Sequence, residues 1–442
     1  MAKLNRKLLL KHLNIAWIKA EMLNRLLIII SSLTIAAAST FAANQSLSPK
    51  TYQALNDIQT LLTEEKYSEV EEDLKDLEEN LTPGFGLALT YQIHAQLFLA
   101  REDSDQALDY FNKALELEAM KAVQAVSLAT NVAQLYLASS DTEQAIQVLQ
   151  PRIKAAEKEK PDSTNAMAFI TLGSAFQLKQ DFANAIVWLK QGIERAKTPR
   201  ENWLQMLMAA HYQLKQYPQA ILVLDHLIAI NDKKEEYWLQ QGSLNQMLNK
   251  PEAALKVLQL AYVRDVLIKE DGLITLVQLL ITQGVPERAG RILHDLLAQN
   301  KIELSEDNWK LLASAWLQSR ERKQAITAFL QAAQLTLLAT EKEDSKQSAK
   351  QKKAAAKLYY RSAQLQFDES DFTGAISSYA KARTLGINGK KLGMTLLMQG
   401  NAYFELEDFI NAKLFFSRAL KEPNTTNSAR AWLDYMQQLD LF

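Results

Sequence analysis

Residues 309–333 read WKLLASAWLQSRERKQAITAFLQAA, and the spacing inside this stretch decides the fold. Trp309, Ala313 and Trp316 fall on one helical face, because residues three and four apart stack on the same side of an α-helix. After a polar break at 319–321, Ala325, Phe329 and Ala332 repeat the pattern on a second helix. The alanine recurs as Ala107, Ala145, Ala185, Ala220, Ala254, Ala289, Ala325, Ala375 and Ala412. Four residues after each stands a bulky one: Phe111, Leu149, Leu189, Leu224, Leu258, Leu293, Phe329, Tyr379 and Phe416. Twelve residues before most of them is a small one, such as Ala95, Ala133, Gly173, Gly242, Ala313, Ala363 or Gly400. Small residues let helices approach closely, so the ladder predicts stacked helical hairpins.

The ladder resembles the tetratricopeptide repeat, a two-helix unit of about 34 residues. From Ala185 to Ala325 the steps are 35, 34, 35 and 36 residues. The expected fold is all-α: a tetratricopeptide solenoid of about nine to ten helix-turn-helix repeats, coiled as a right-handed superhelix and closed by a C-terminal capping helix. Residues 49–80 read as a degenerate N-terminal hairpin, in which Val70, Leu74 and Leu77 form the apolar face and an acidic outer surface is solvated. The main array covers 88–338. The step from Ala325 to Ala375 is 50, and the excess falls in a Lys- and Gln-rich segment, 339–357, with no apolar stripe. This polar insertion reads as a solvated helix extension or a loop, or as a basic docking element. The last repeats cover 358–424. The capping helix covers 427–442, with Ala431, Trp432, Tyr435 and Met436 as its stripe.

At 442 residues the chain has 50 basic and 51 acidic side chains, so its charge balance points to no nucleic acid. It contains no cysteine, which excludes disulfides, thiol catalysis and a lipid-modified cysteine. The run from Leu26 to Ala38 is apolar, follows Arg25 and precedes the small residues Ser39, Thr40, Ala42 and Ala43. That order predicts a signal peptide over 1–43, with cleavage after Ala42 or Ala43 and Met22 as an alternative start. An uncleaved inner-membrane anchor is the other reading. Either one places the body in the periplasm, with membrane contact only through that anchor or a partner.

No catalytic constellation is present. His12, His94, His211, His226 and His294 contain no pair four apart, the spacing that would offer a metal two ligands from one helix face. His94 and His211 read as hydrogen-bonded, part-buried structural histidines. No phosphate-binding glycine loop occurs. The chain is therefore expected to be non-enzymatic, with no cofactor and no metal.

A groove lined by the first helix of each repeat remains as the binding surface. Helical periodicity directs Gln134, Thr171, Ser174, Gln177, Gln213, Gln240, Ser243, Gln246 and Gln278 toward it. The lining is neutral, without the cations that a carboxylate clamp needs. It suits an extended or helical protein segment held by amide hydrogen bonds and apolar contacts.

Four phrases carry a narrower resemblance: Asn202-Trp203, Tyr217-Pro218-Gln219-Ala220, Tyr237-Trp238-Leu239-Gln240 and Gly284-Val285-Pro286. With the leader and the closing Ala429 to Tyr435 segment, residues 48–440 resemble the periplasmic tetratricopeptide proteins found beside TonB, ExbB and ExbD in proteobacterial iron uptake. The resemblance implies an accessory scaffold in TonB-dependent energy transduction, with TonB or an ExbB/ExbD-type inner-membrane complex as partner. An envelope-assembly scaffold for outer-membrane protein, pilus or peptidoglycan biogenesis would share these features.

Overall fold

The computed structural model describes residues 47–340 and 345–441. The leader expected over 1–43 lies outside the described residues. Everything described is helix or short connection, in two compact units, the chain dividing between Leu248 and Asn249. The first unit holds α1 (Pro49–Thr63), α2 (Tyr67–Asn80), α3 (Phe85–Ala100), α4 (Ser104–Glu116), α5 (Ala122–Ala138) and α6 (Thr142–Glu159). It continues with α7 (Ala166–Leu178), α8 (Phe182–Arg195), α9 (Glu201–Gln213), α10 (Tyr217–Ile230) and α11 (Glu235–Met247). The second holds α12 (Pro251–Val263), α13 (Glu270–Thr282), α14 (Pro286–Ala298), α15 (Glu306–Gln318) and α16 (Arg322–Thr340). It ends with α17 (Ser345–Asp368), α18 (Phe372–Thr384), α19 (Lys390–Glu405), α20 (Phe409–Ala419) and α21 (Thr426–Gln438). Within each unit odd- and even-numbered helices alternate as the first and second arms of hairpins, a tetratricopeptide-like array.

All nine ladder alanines are fully buried. The bulky residue four positions on is buried as well, except Phe329, which is half-buried. At two hairpins the bulky side chain seats directly on the small residue of the first helix. A Cβ built on Gly173 would stand 2.7 Å from Leu189 Cγ, and one on Gly400 would stand 2.6 Å from the Phe416 ring. At those two hairpins only glycine permits the approach seen. Burying each Leu or Phe knob contributes roughly 1.5–3 kcal/mol.

Every turn from an odd-numbered helix to the next even-numbered one is three residues long. Its middle residue takes positive φ: Glu65, Glu102, Ser140, Gln180, Lys215, Asn249, Gly284, Arg320, Ser370 and Glu407. The next residue closes the first helix, as where the Asp181 N–H donates to Phe176 O at 2.9 Å. This is the Schellman arrangement, which satisfies carbonyls left open at a helix end. The same residue opens the second helix. Asp103, Asp141, Asp181, Asp371 and Asp408 each accept a hydrogen bond from the backbone N–H three residues on.

The segment read as a polar insertion is largely helical. Residues 345–357 are the first half of α17, and the 357/358 boundary drawn from composition falls inside that helix. Lys, Gln and Ala are strong helix formers, and Ala355 and Ala356 are buried. The cap α21 also differs in detail from its sequence reading. Its inward stripe is Ala429, Trp432 and Met436, whereas Ala431 and Tyr435 are exposed. Trp432 lies flat on Phe416, centroids 5.4 Å apart with 6° between the rings. No helix of the described residues is long and apolar enough to cross a membrane.

Candidate protein-binding face

In the first unit the first helices of successive hairpins lie side by side, and α7, α9 and α11 are each 13 residues long. Aligned from their first residues, they form three rows across the face: Thr171, Met206 and Gln240; Ser174, Ala209 and Ser243; Gln177, Tyr212 and Gln246. Gln213 falls one position outside the third row. It is the exposed last residue of α9, and Tyr212 holds the equivalent place. The offset arises because Met208, not Ala209, occupies the small-residue position of this repeat.

The rows differ in how their polar atoms are satisfied. Gln134 of α5 donates to Thr171 Oγ1 at 3.2 Å and so joins two neighbouring first helices. Ser174 turns inward, donating to Ile170 O at 2.8 Å, with Met206 Sδ 3.9 Å away. Gln177 Oε1, Gln240 Oε1 and Ser243 Oγ are buried and have no hydrogen-bond partner among the described residues. A buried acceptor left unpaired costs about 1–3 kcal/mol, so these three atoms are poised to receive donors. Gln246 is half-buried at the end of the third row. Gln278 is half-buried on α13, in the second unit.

Sequence reasoning missed a polar cluster at the edge of this face. Lys234 Nζ donates to Glu201 Oε1 at 2.8 Å and lies 3.0 Å from the Tyr237 hydroxyl. Gln205 Nε2 donates to Tyr237 Oη, and that hydroxyl donates to Glu201. The Lys234 ammonium and the Tyr237 hydroxyl hold the Glu201 carboxyl below the usual carboxylate range. This cluster stitches the start of α9 to the start of α11 and neutralises Lys234 in place. In the second unit Glu270 does the same for α13 and α15, accepting from Asn308 Nδ2 at 2.8 Å and from the Glu303 N–H at 3.1 Å. A Glu at the first helical residue, recurring near the repeat period, is the signal that could have found both.

The two histidines on first helices behave differently. His211 Nδ1 pairs with Gln216 Oε1 at 2.7 Å, the hydrogen-bonded outcome expected. His94 Nδ1 has no hydrogen-bond partner among the described residues. It stops 3.7 Å from Glu78 Oε2, and the ring packs 4.3 Å from that of Tyr110. Among the described residues no three His, Asp or Glu side chains gather in a way that could hold a metal.

No protein-family model matches the chain, and no curated protein is significantly similar to it in sequence. Solved structures with similar backbones exist. A tetratricopeptide repeat protein from Parabacteroides merdae is 14% identical, with 60% of this chain and 96% of that one covered and a TM-score of 0.33. The C-terminal part of a tetratricopeptide repeat-containing protein from Cytophaga hutchinsonii is 15% identical, with coverages of 66% and 97% and a TM-score of 0.36. The TPR2AB-domain:pHSP90 complex of yeast Sti1 is 14% identical, with coverages of 74% and 99% and a TM-score of 0.28. The repeat fold of this chain rests on its own helix pairs and alanine ladder.

Proposed function

We infer that this protein is a non-enzymatic scaffold whose first-helix face, over α7 to α11, holds a segment of a partner protein. The observation that carries the reading is the set of buried, unpaired atoms Gln177 Oε1, Gln240 Oε1 and Ser243 Oγ on one face. Side-chain amides and hydroxyls answer the N–H and C=O groups of a peptide backbone, while the half-buried Leu239 beside them offers apolar contact. The apolar run from Leu26 to Ala38 supports a periplasmic location, and the phrases Asn202-Trp203, Tyr217 to Ala220, Tyr237 to Gln240 and Gly284 to Pro286 support a role beside TonB, ExbB and ExbD.

The test is a crosslinked pull-down from native envelope with the tagged full chain, identified by mass spectrometry. Gln177→Ala, Gln240→Ala and Ser243→Ala together are expected to abolish partner capture while leaving the helical circular-dichroism signal unchanged. Unchanged capture removes this face from the reading. Recovery of outer-membrane assembly, pilus or peptidoglycan factors in place of TonB, ExbB or ExbD moves the scaffold to envelope assembly.

A further inference from the structure

Two helices carry long stripes of a single charge sign with no ion-pair partner among the described residues. On α2, Glu69, Glu72, Asp73, Asp76 and Glu79 are all exposed. Glu69, Glu72, Asp76 and Glu79 follow one another at three- and four-residue steps and so share one side of the helix. Their neighbours are engaged elsewhere: Glu71 pairs with Lys75 at 2.8 Å and Arg101 at 2.7 Å, and Glu78 faces His94. Between 64 and 79 the sequence holds nine carboxylates against two lysines.

On α17, Lys350, Lys352, Lys353, Lys357 and Arg361 are all exposed, and Lys350, Lys353, Lys357 and Arg361 share one side. From 346 to 367 the sequence has six cations and no carboxylate. α16 and α17 are 19 and 24 residues long, whereas the first helices of the groove are 13. α16 and α17 pack on each other through small buried residues, Ala332, Ala333, Thr336, Ala355 and Ala356, and the lysines of the stripe stay exposed.

Neither stripe helps its own helix, since like charges four apart repel. The two nevertheless match each other. The acidic one, from 69 to 79, runs about 15 Å, and the basic one, from 350 to 361, about 16 Å. Both place a charge at nearly every turn.

We propose that the two stripes are the halves of a contact between copies of this chain, with α2 of one copy lying along α17 of the next. Glu69, Glu72, Asp76 and Glu79 then face Lys350, Lys353, Lys357 and Arg361. The contact joins two different surfaces of the chain: made reciprocally between two copies it closes a two-fold dimer, and made head to tail it builds rings or filaments. Exposed ion pairs are individually weak, so the assembly is reversible and governed by ionic strength. A polyanion such as nucleic acid would use the basic face alone and leave the acidic stripe without a role. This contact is independent of the partner-binding face on α7 to α11.

The test is sedimentation velocity of the full chain in about 10 mM and about 1 M salt, between which the Debye length falls from about 30 Å to about 3 Å. Concentration-dependent multimers are expected at low salt and monomer at high salt. Two charge-reversed variants follow: Glu72→Lys, Asp76→Lys and Glu79→Lys in one, and Lys350→Glu, Lys353→Glu and Lys357→Glu in the other. Each alone is expected to be monomeric at low salt, with self-association weakened at least tenfold. Mixing them is expected to restore a complex, because the reversed α2 now meets the reversed α17. If either variant loses its circular-dichroism signal, the neutral forms Lys350→Gln, Lys353→Gln and Lys357→Gln and Glu72→Gln, Asp76→Asn and Glu79→Gln replace them, with the same monomer expected. The proposal is overturned by a wild-type chain that stays monomeric at low salt, whether or not it binds a labelled oligonucleotide. It is equally overturned by multimers that survive either set of substitutions, or by mixed reversals that fail to associate.

Discussion

His94 shows how one residue can set a pH limit on the array. Its side chain is 1% exposed between Phe98 and Tyr110. Burial pulls its pKa from 6.5 down to about 4, against an opposing pull from Glu71. A folded-state value below the unfolded one means that the unfolded chain binds the proton more readily. This part of the stability is therefore intact above 6.5 and lost as pH falls from 6.5 toward 4. Between pH 8 and pH 5 the loss is about 2 kcal/mol. Glu71 acts in a lower window. Hydrogen bonds from Lys75 and Arg101 hold its carboxyl at about 2, so its contribution is lost only as pH falls from 4.5 toward 2. Urea unfolding at pH 8 and pH 5 should show the loss in the wild type and a much flatter response in His94→Phe. An equal loss in both would rule out the histidine. The sequence placed His94 beside the small Ala95 but could not show that its Nδ1 stays without a hydrogen-bond partner. That depends on where α2 and α4 come to lie against α3.

At the scale of the element, the hairpin turns are the most regular feature of the protein. Nine of the ten middle positions with positive φ carry a residue other than glycine, although left-handed backbone costs an L-residue roughly 1–2 kcal/mol. Gln180→Gly should therefore stabilise the α7–α8 hairpin by about 0.5–1 kcal/mol, after the larger entropy of glycine in the unfolded chain is deducted. Asp181→Ala should destabilise it by about 1 kcal/mol through loss of the cap on α8. Thermal unfolding of the two variants should move in opposite directions, and a shared sign would contradict this account of the turn. The five capping aspartates were visible in the sequence, four residues before their alanines. The turn conformation was not, because glycine marks only one of the ten. For 345–357 the sequence left helix extension and loop both open, because alanines pack an interface while adding little to an apolar stripe.

At the scale of the whole molecule, a repeat array must close its ends, because each hairpin leaves an apolar face for the next. α21 closes the C-terminal end, with Trp432 covering Phe416 and Phe404. A chain ending at residue 424 uncovers both rings and should aggregate on size-exclusion chromatography. A truncated chain that elutes as the intact one does would show that α21 is dispensable.

The sequence by itself determined the hairpins, their number and their core. Helical period and small-residue spacing are local properties, and all nine ladder alanines are buried where that pattern put them. Tertiary structure decided what depends on neighbouring hairpins. It joined Gln134 to Thr171, gave Tyr212 rather than Gln213 the inward row, tied Glu201 to Lys234 and Tyr237, and divided the chain at Leu248. The physical reason is that a repeat specifies how its own two helices pack. Which side-chain atoms meet across two repeats follows from the rotation and rise between them, and these sum many small contacts that no single repeat encodes.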